Sequence, residues 1–201
     1  LKGEYPVARG LTIGHEPVGV IEQLGSEVRG FREGQRVIAG AITPSGHSAA
    51  CLCGCSSQDG PGESHGFKPM GGWRFGNTID GAQAEYLLVP DAMVNLAHVP
   101  SGLTDEQVLM CPDIMSTGFS GAESGGVRIG DCVAVFAQGP IGLCATAGAR
   151  LMGATRIIAV ESVPERQAMA RRLGADEIVD FSKGDPVDEI MRLTDGRGVD
   201  V

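Results

Sequence analysis

The chain has 201 residues, 42% of them apolar, enough for one large domain or two modest ones with a packed core, which excludes a disordered protein. Its net charge of −9 argues against a nucleic-acid partner, because phosphate backbones are met by clustered Lys and Arg. No apolar run approaches the roughly 20 residues of a membrane span, and Leu1-Lys2-Gly3-Glu4 lacks the apolar stretch of a secretory leader. No membrane partner is therefore expected, and a cytoplasmic location is the default. The six cysteines are expected as thiols, with Cys132 and Cys144 as small core residues.

In chain order, residues 17–24 and 35–42 carry short β-type apolar runs with turns at Gly25, Gly30 and Gly34 between them. They predict a compact β domain. Residues 45–80 are rich in Gly, Ser and Pro and predict a long irregular lobe, after which strand character returns at residues 84–89. Thr104 and Gln107 have the spacing of a capping box and predict a short helix that Pro112 interrupts. The second half alternates: strand 132–137, helix 141–152, strand 156–160, helix 164–173, strand 177–180 and helix 187–193. Such alternation predicts a doubly wound parallel sheet. The domains are expected at 1–115 and 116–201. The first residue is not Met, and an apolar strand begins at residues 198–201, so the chain reads as an internal fragment with both domains incomplete.

Between the first strand and helix of that half lies Ala137-Gln138-Gly139-Pro140-Ile141-Gly142, the place of a pyrophosphate loop. Gly139 would let the backbone approach the phosphates, and Gly142 would let helix and strand pack closely. The helix N-terminus supplies free amides and positive dipole. Ala137 stands where a GxGxxG pattern has its first glycine, at a cost of about 1–2 kcal/mol if that residue is left-handed. Glu161, with Ser162 after it, ends the next strand roughly 20 residues on, a position suited to a carboxylate on the adenosine ribose. A ribose 2′-phosphate would be repelled there, so NAD is expected over NADP.

Gly14-His15-Glu16-Pro17-Val18-Gly19, with Gly25 and Val28, joins an imidazole and a neighbouring carboxylate to a backbone that glycine keeps compact. The whole pattern resembles the signature of the zinc-containing medium-chain alcohol dehydrogenases. Asp113, in Met110-Cys111-Pro112-Asp113-Ile114-Met115-Ser116-Thr117-Gly118, fits a helix-capping aspartate or a metal ligand when taken alone. Most members of that family carry Cys in this region, whereas the bacterial and protist secondary alcohol dehydrogenases carry Asp. Gly72-Trp73-Arg74-Phe75, Asn95-Leu96-Ala97-His98 and Thr117-Gly118-Phe119 are similar to that isopropanol-type branch, and the likeness runs over nearly the whole chain.

The resemblance implies a partial GroES-like β domain followed by a Rossmann-type domain, with one catalytic Zn2+ on His15 and Asp113. Glu16 would be an exchangeable neighbour, and a Cys ligand would lie upstream of Leu1. It implies Thr117 beside the nicotinamide, and Ala41, Ile42 and Trp73 around a small alcohol or ketone. A homo-oligomer, dimer or tetramer, is implied in the same way, and the isolated fragment is expected to be inactive. Formaldehyde dehydrogenase or dismutase and polyol dehydrogenase chemistry stand as enzymatic alternatives. A zinc-free quinone reductase and a non-catalytic nucleotide-binding module stand further off. A structural zinc is not expected: the family's four-cysteine spacing, started at Cys51, lands on Gly54, Ser57 and His65. The remaining donors, His47, Cys51, Cys53, Cys55 and His65, lack a usual structural spacing.

Overall fold

A computed structural model describes residues 7–60 and 67–201, and these fall into two compact units, the described residues up to Asp113 and those from Ile114 on. The leader reading at Leu1 to Glu4 and the candidate donor His65 lie outside the described residues.

In the first unit, β1 (Val18–Val20), β2 (Arg36–Ala39) and β3 (Leu96–His98) form an antiparallel sheet in that order. Val37 and Ala39 alternate inward from β2, as a half-buried strand requires. The expected strand at residues 84–89 does not form. Tyr86 and Leu88 are 75% and 84% exposed, and β2 takes Leu96–His98 as its neighbour instead. Among its described residues the lobe carries α1 (Ala49–Leu52) and a 3₁₀ turn at Ser56–Gln58, and α2 (Ala92–Asn95) leads into β3. Helix α3 (Asp105–Val108) opens with the complete capping box of Thr104 and Gln107.

Helix α3 has ended at Val108 before Pro112 is reached, and Cys111–Met115 form a π-helical turn that runs into α4 (Ser116–Ser124), with Pro112 as its second residue. Proline has no N–H to donate, and in the first turn of a helical run none is required.

In the second unit, β4 (Cys132–Phe136), β5 (Arg156–Val160) and β6 (Glu177–Val179) are parallel and adjacent in that order. The connections are α5 (Pro140–Leu151) and α6 (Pro164–Arg172), and α7 (Pro186–Leu193) follows β6. Strand β5 is buried on both sides. Ile157 packs with Ala149 of α5 and Ala122 of α4, and Ala159 packs with Ala170 of α6. On the opposite face Ile158 and Val160 pack with Ile190 of α7. Helices on both faces of a parallel sheet make the unit doubly wound. Among the described residues no helix is long and apolar enough to cross a membrane.

Candidate functional site

In the first unit the backbone around His15 is fixed by its neighbours. Gly14 is left-handed at φ +100°, and a Cβ there would press on the Gln83 backbone. The amides of Gly81, Ala82 and Gln83 donate to the carbonyls of Thr12, Gly14 and Ile13 at 2.8–2.9 Å, clamping the segment that ends in His15. Asp113 arrives from the π-helical turn, which is tied to the end of β2 by Ala41 N donating to Pro112 O at 3.3 Å.

The result joins donors far apart in sequence. His15 Nε2 lies 3.0 Å from Asp113 Oδ2, and donor atoms of His15, Glu16 and Asp113 all fall within 4.8 Å of one another. Two ligands on a tetrahedral zinc with bonds near 2.0–2.1 Å are separated by about 3.3 Å, so the spacing fits a shared ion. Glu16 Oε1 is buried and has no hydrogen-bond partner among the described residues. An orphaned carboxylate oxygen beside two further donors fits a cation, because burying it unpaired is costly. One imidazole and two carboxylates suit zinc chemistry.

The Trp73 ring meets the His15 imidazole edge-on, with centroids 5.6 Å apart at 77°. Thr43 N donates to Gly72 O at 2.6 Å, which brings the exposed Ile42 beside the Trp73 segment, while Ala41 is buried.

In the second unit the loop after β4 is held from below. Ala137 is left-handed at φ +67°, and Gly142 has no room for a Cβ, which would overlap the Ala137 carbonyl oxygen. A Cβ on Gly139 would instead project into open space ahead of α5, leaving that face clear for a ligand at the helix N-terminus. Pro140 and Ile141 begin α5, and Thr117 is an exposed residue of the first turn of α4.

Glu161 is turned inward. Its Oε2 accepts the Gln138 amide at 2.9 Å, and its Oε1 accepts the Ser162 and Val163 amides at 2.8 and 3.0 Å. Burial alone would raise its pKa, but these backbone donors, with Arg166 nearby, overcome it and hold the carboxyl below its ordinary value.

Sequence reasoning missed Gln138, which is fully buried. Its Nε2 donates to Val135 O at 3.0 Å and its Oε1 accepts from Thr146 Oγ1 at 2.9 Å. The available signal was a polar Gln closing an apolar strand, with a Thr on the buried side of the next helix. It also missed Arg166, whose Nη1 stands 3.6 Å from Glu161 Oε2.

The cysteine lobe turns its thiols to separate partners. Cys51 Sγ donates to Asp59 Oδ1 at 3.3 Å, Cys53 Sγ donates to Ala49 O at 2.7 Å, and Cys55 is exposed. Among the described residues, His15, Glu16 and Asp113 are the one group that gathers three donors.

Comparison with known proteins gives matches over both units. The family model described as an alcohol dehydrogenase GroES-like domain matches residues 1–101, and that described as a zinc-binding dehydrogenase matches residues 140–201. An alcohol dehydrogenase of Cupriavidus necator is 66% identical, with all of this chain aligned to 57% of the relative. The NADP-dependent isopropanol dehydrogenase of Thermoanaerobacter brockii is 43% identical over 94% of this chain and 52% of its own. Among solved structures, alcohol dehydrogenase TADH from Thermus sp. ATN1 superposes with a TM-score of 0.84 at 35% identity, covering 98% of this chain and 55% of that one. This chain thus spans about half the length of the curated relatives it matches.

The expectation of NAD over NADP is overturned here, because the Thermoanaerobacter brockii relative is NADP-dependent. The physical reason lies in the carboxylate. Repulsion of a 2′-phosphate needs Glu161 to face the ribose, and its charge is instead spent on three backbone amides inside the fold.

Proposed function

Since the chain belongs to the zinc-type alcohol dehydrogenase family, we propose that the whole protein carrying it is a zinc- and nicotinamide-dependent oxidoreductase that interconverts a small secondary alcohol and its ketone. The observation that carries the reading is the meeting of His15, Glu16 and Asp113 with an orphaned, buried Glu16 oxygen among them.

His15 Nε2 and Asp113 Oδ2 would hold the ion, and Glu16 would supply a further negative charge beside it. When bound, zinc supplies a Lewis acid at the alcohol or carbonyl oxygen, and the nicotinamide supplies the hydride acceptor or donor. Trp73 restrains the imidazole by its edge-on contact and gives the site an apolar wall that limits water. In the second unit the loop Ala137 to Gly142 and the free amides of α5 would bind the pyrophosphate. NADP, the cofactor in the Thermoanaerobacter brockii relative's name, is the form proposed for this protein.

The test is a steady-state assay of the full-length protein with propan-2-ol and NADP, and with acetone and NADPH. Turnover in both directions supports the reading, and no turnover by zinc-loaded, folded protein on these or other short secondary alcohols contradicts it.

A further inference from the structure

Gln138 stands in the middle of the loop between β4 and α5, yet it is fully buried and has no surface to offer a ligand. We propose that it is the positioning residue of that loop, an inward amide tied to three elements at once that keeps the backbone from Ala137 to Gly142 in the shape that receives a pyrophosphate. This assignment rests on the dinucleotide reading above.

The backbone amide of Gln138 donates to Glu161 Oε2, just past the end of β5, at 2.9 Å. Its side-chain Nε2 donates to Val135 O of β4 at 3.0 Å, and its Oε1 accepts the Thr146 hydroxyl of α5 at 2.9 Å. Thr146 is as fully buried as Gln138, and Glu161 is 3% exposed, so a group freed here would find no water to replace its partner. Packing alone would be met by an apolar side chain. The strand before the loop, Cys132–Phe136, is apolar throughout, and the polar amide enters where the chain must turn.

The turn is strained, which is why it needs a tether. Ala137 is left-handed at φ +67°, and a residue with a Cβ keeps that conformation only where its surroundings over-determine it. On the outer side Gly139 opens onto free space, so the bracing comes from beneath, where Gln138 lies. With the tether cut, Ala137 is free to leave the left-handed region, and the loop divides between a binding form and relaxed forms. Apparent affinity then falls by the fraction that stays competent. The loss falls on the pyrophosphate, which NADP and NAD share, and so does not depend on the ribose.

The experiment is calorimetric titration of the full-length protein with NADP and with NAD, beside thermal unfolding, for native, Thr146→Val, Thr146→Ser and Gln138→Met forms. Thr146→Val removes the hydroxyl at nearly constant shape, Thr146→Ser keeps it, and Gln138→Met keeps the length of the side chain without its two bonds. Thr146→Val should weaken binding about fivefold and Gln138→Met about tenfold or more, by the same factor for each nucleotide that native protein binds, while Thr146→Ser stays within about twofold. In steady-state assays the KM for the nucleotide should rise and that for propan-2-ol stay within about twofold. Variants that unfold at lower temperature yet bind nucleotide as native protein does would make Gln138 a packing residue and overturn the assignment. Equal losses in Thr146→Val and Thr146→Ser overturn it too, as does a loss confined to one of two nucleotides that native protein binds. Should Gln138→Met not fold, the two Thr146 forms decide by the same criteria. Native protein that binds neither nucleotide removes the dinucleotide reading and the assignment with it.

Discussion

Gly142 packs so closely under Ala137 that a Cβ on the glycine would overlap the alanine carbonyl oxygen. The overlapped atom is backbone, so no side-chain rotation relieves it. Gly142→Ala is expected to cost at least the roughly 1–3 kcal/mol typical of overpacking and to weaken dinucleotide binding, since the loop must move. Thermal unfolding together with nucleotide titration checks this. A variant with native stability and affinity would show that the loop is not held as described.

Ala137 itself carries strain. At φ +67° its Cβ costs about 1–2 kcal/mol, against roughly 0.5–1 kcal/mol of extra chain entropy for glycine. Ala137→Gly should therefore be neutral to modestly stabilising in a denaturant titration. A loss above about 1 kcal/mol would contradict the left-handed assignment.

Much of the second unit was legible in the sequence because each strand and helix there has an uninterrupted period of its own, and α5 and α6 also begin at a Gly-Pro and a Val-Pro step. The first unit was harder to read. The alternation of residues 84–89 specifies a pleated surface but not a partner, and β2 pairs with Leu96–His98, a run too short to stand out. The orientation of Glu161 was not legible either, because a carboxylate ending a strand looks the same whether it meets a ribose or folds back onto three amides. His15 and Asp113 were singled out as candidates by motif, while the orphaned Glu16 oxygen became visible only in three dimensions.

Asp59 anchors the lobe. Burial would raise its pKa, but hydrogen bonds from Ser48, Ser45 and Cys51 hold it far below the ordinary carboxylate value. A depressed folded pKa contributes stability that is complete above the unfolded value of about 3.9 and is lost as pH falls through the folded one. Asp59→Asn should therefore destabilise the protein at neutral pH and narrow its stability gap to native protein as the medium is acidified below about pH 4. A gap that stays constant down to pH 2 would mean that Asp59 does not contribute in this way.

Trp73 walls the candidate metal site through its edge-on contact with His15. Trp73→Ala removes an aromatic pair worth about 0.5–1.5 kcal/mol beyond its buried area and opens space beside the imidazole. The full-length variant should lose kcat/KM for acetone roughly tenfold, about 1.4 kcal/mol, while bulkier ketones lose less. An unchanged ratio between small and bulky ketones would place Trp73 outside the substrate wall.

Zinc content tests the central claim most directly. Metal analysis of full-length protein expressed in zinc-replete medium should find about one zinc per chain, and His15→Ala and Asp113→Ala should lose it while circular dichroism shows the fold retained. Glu16→Gln should keep the metal, because a neighbouring carboxylate tunes the ion more than it holds it. Folded native protein without zinc, or His15→Ala and Asp113→Ala proteins that keep a full complement, would contradict a metal centre built on His15 and Asp113.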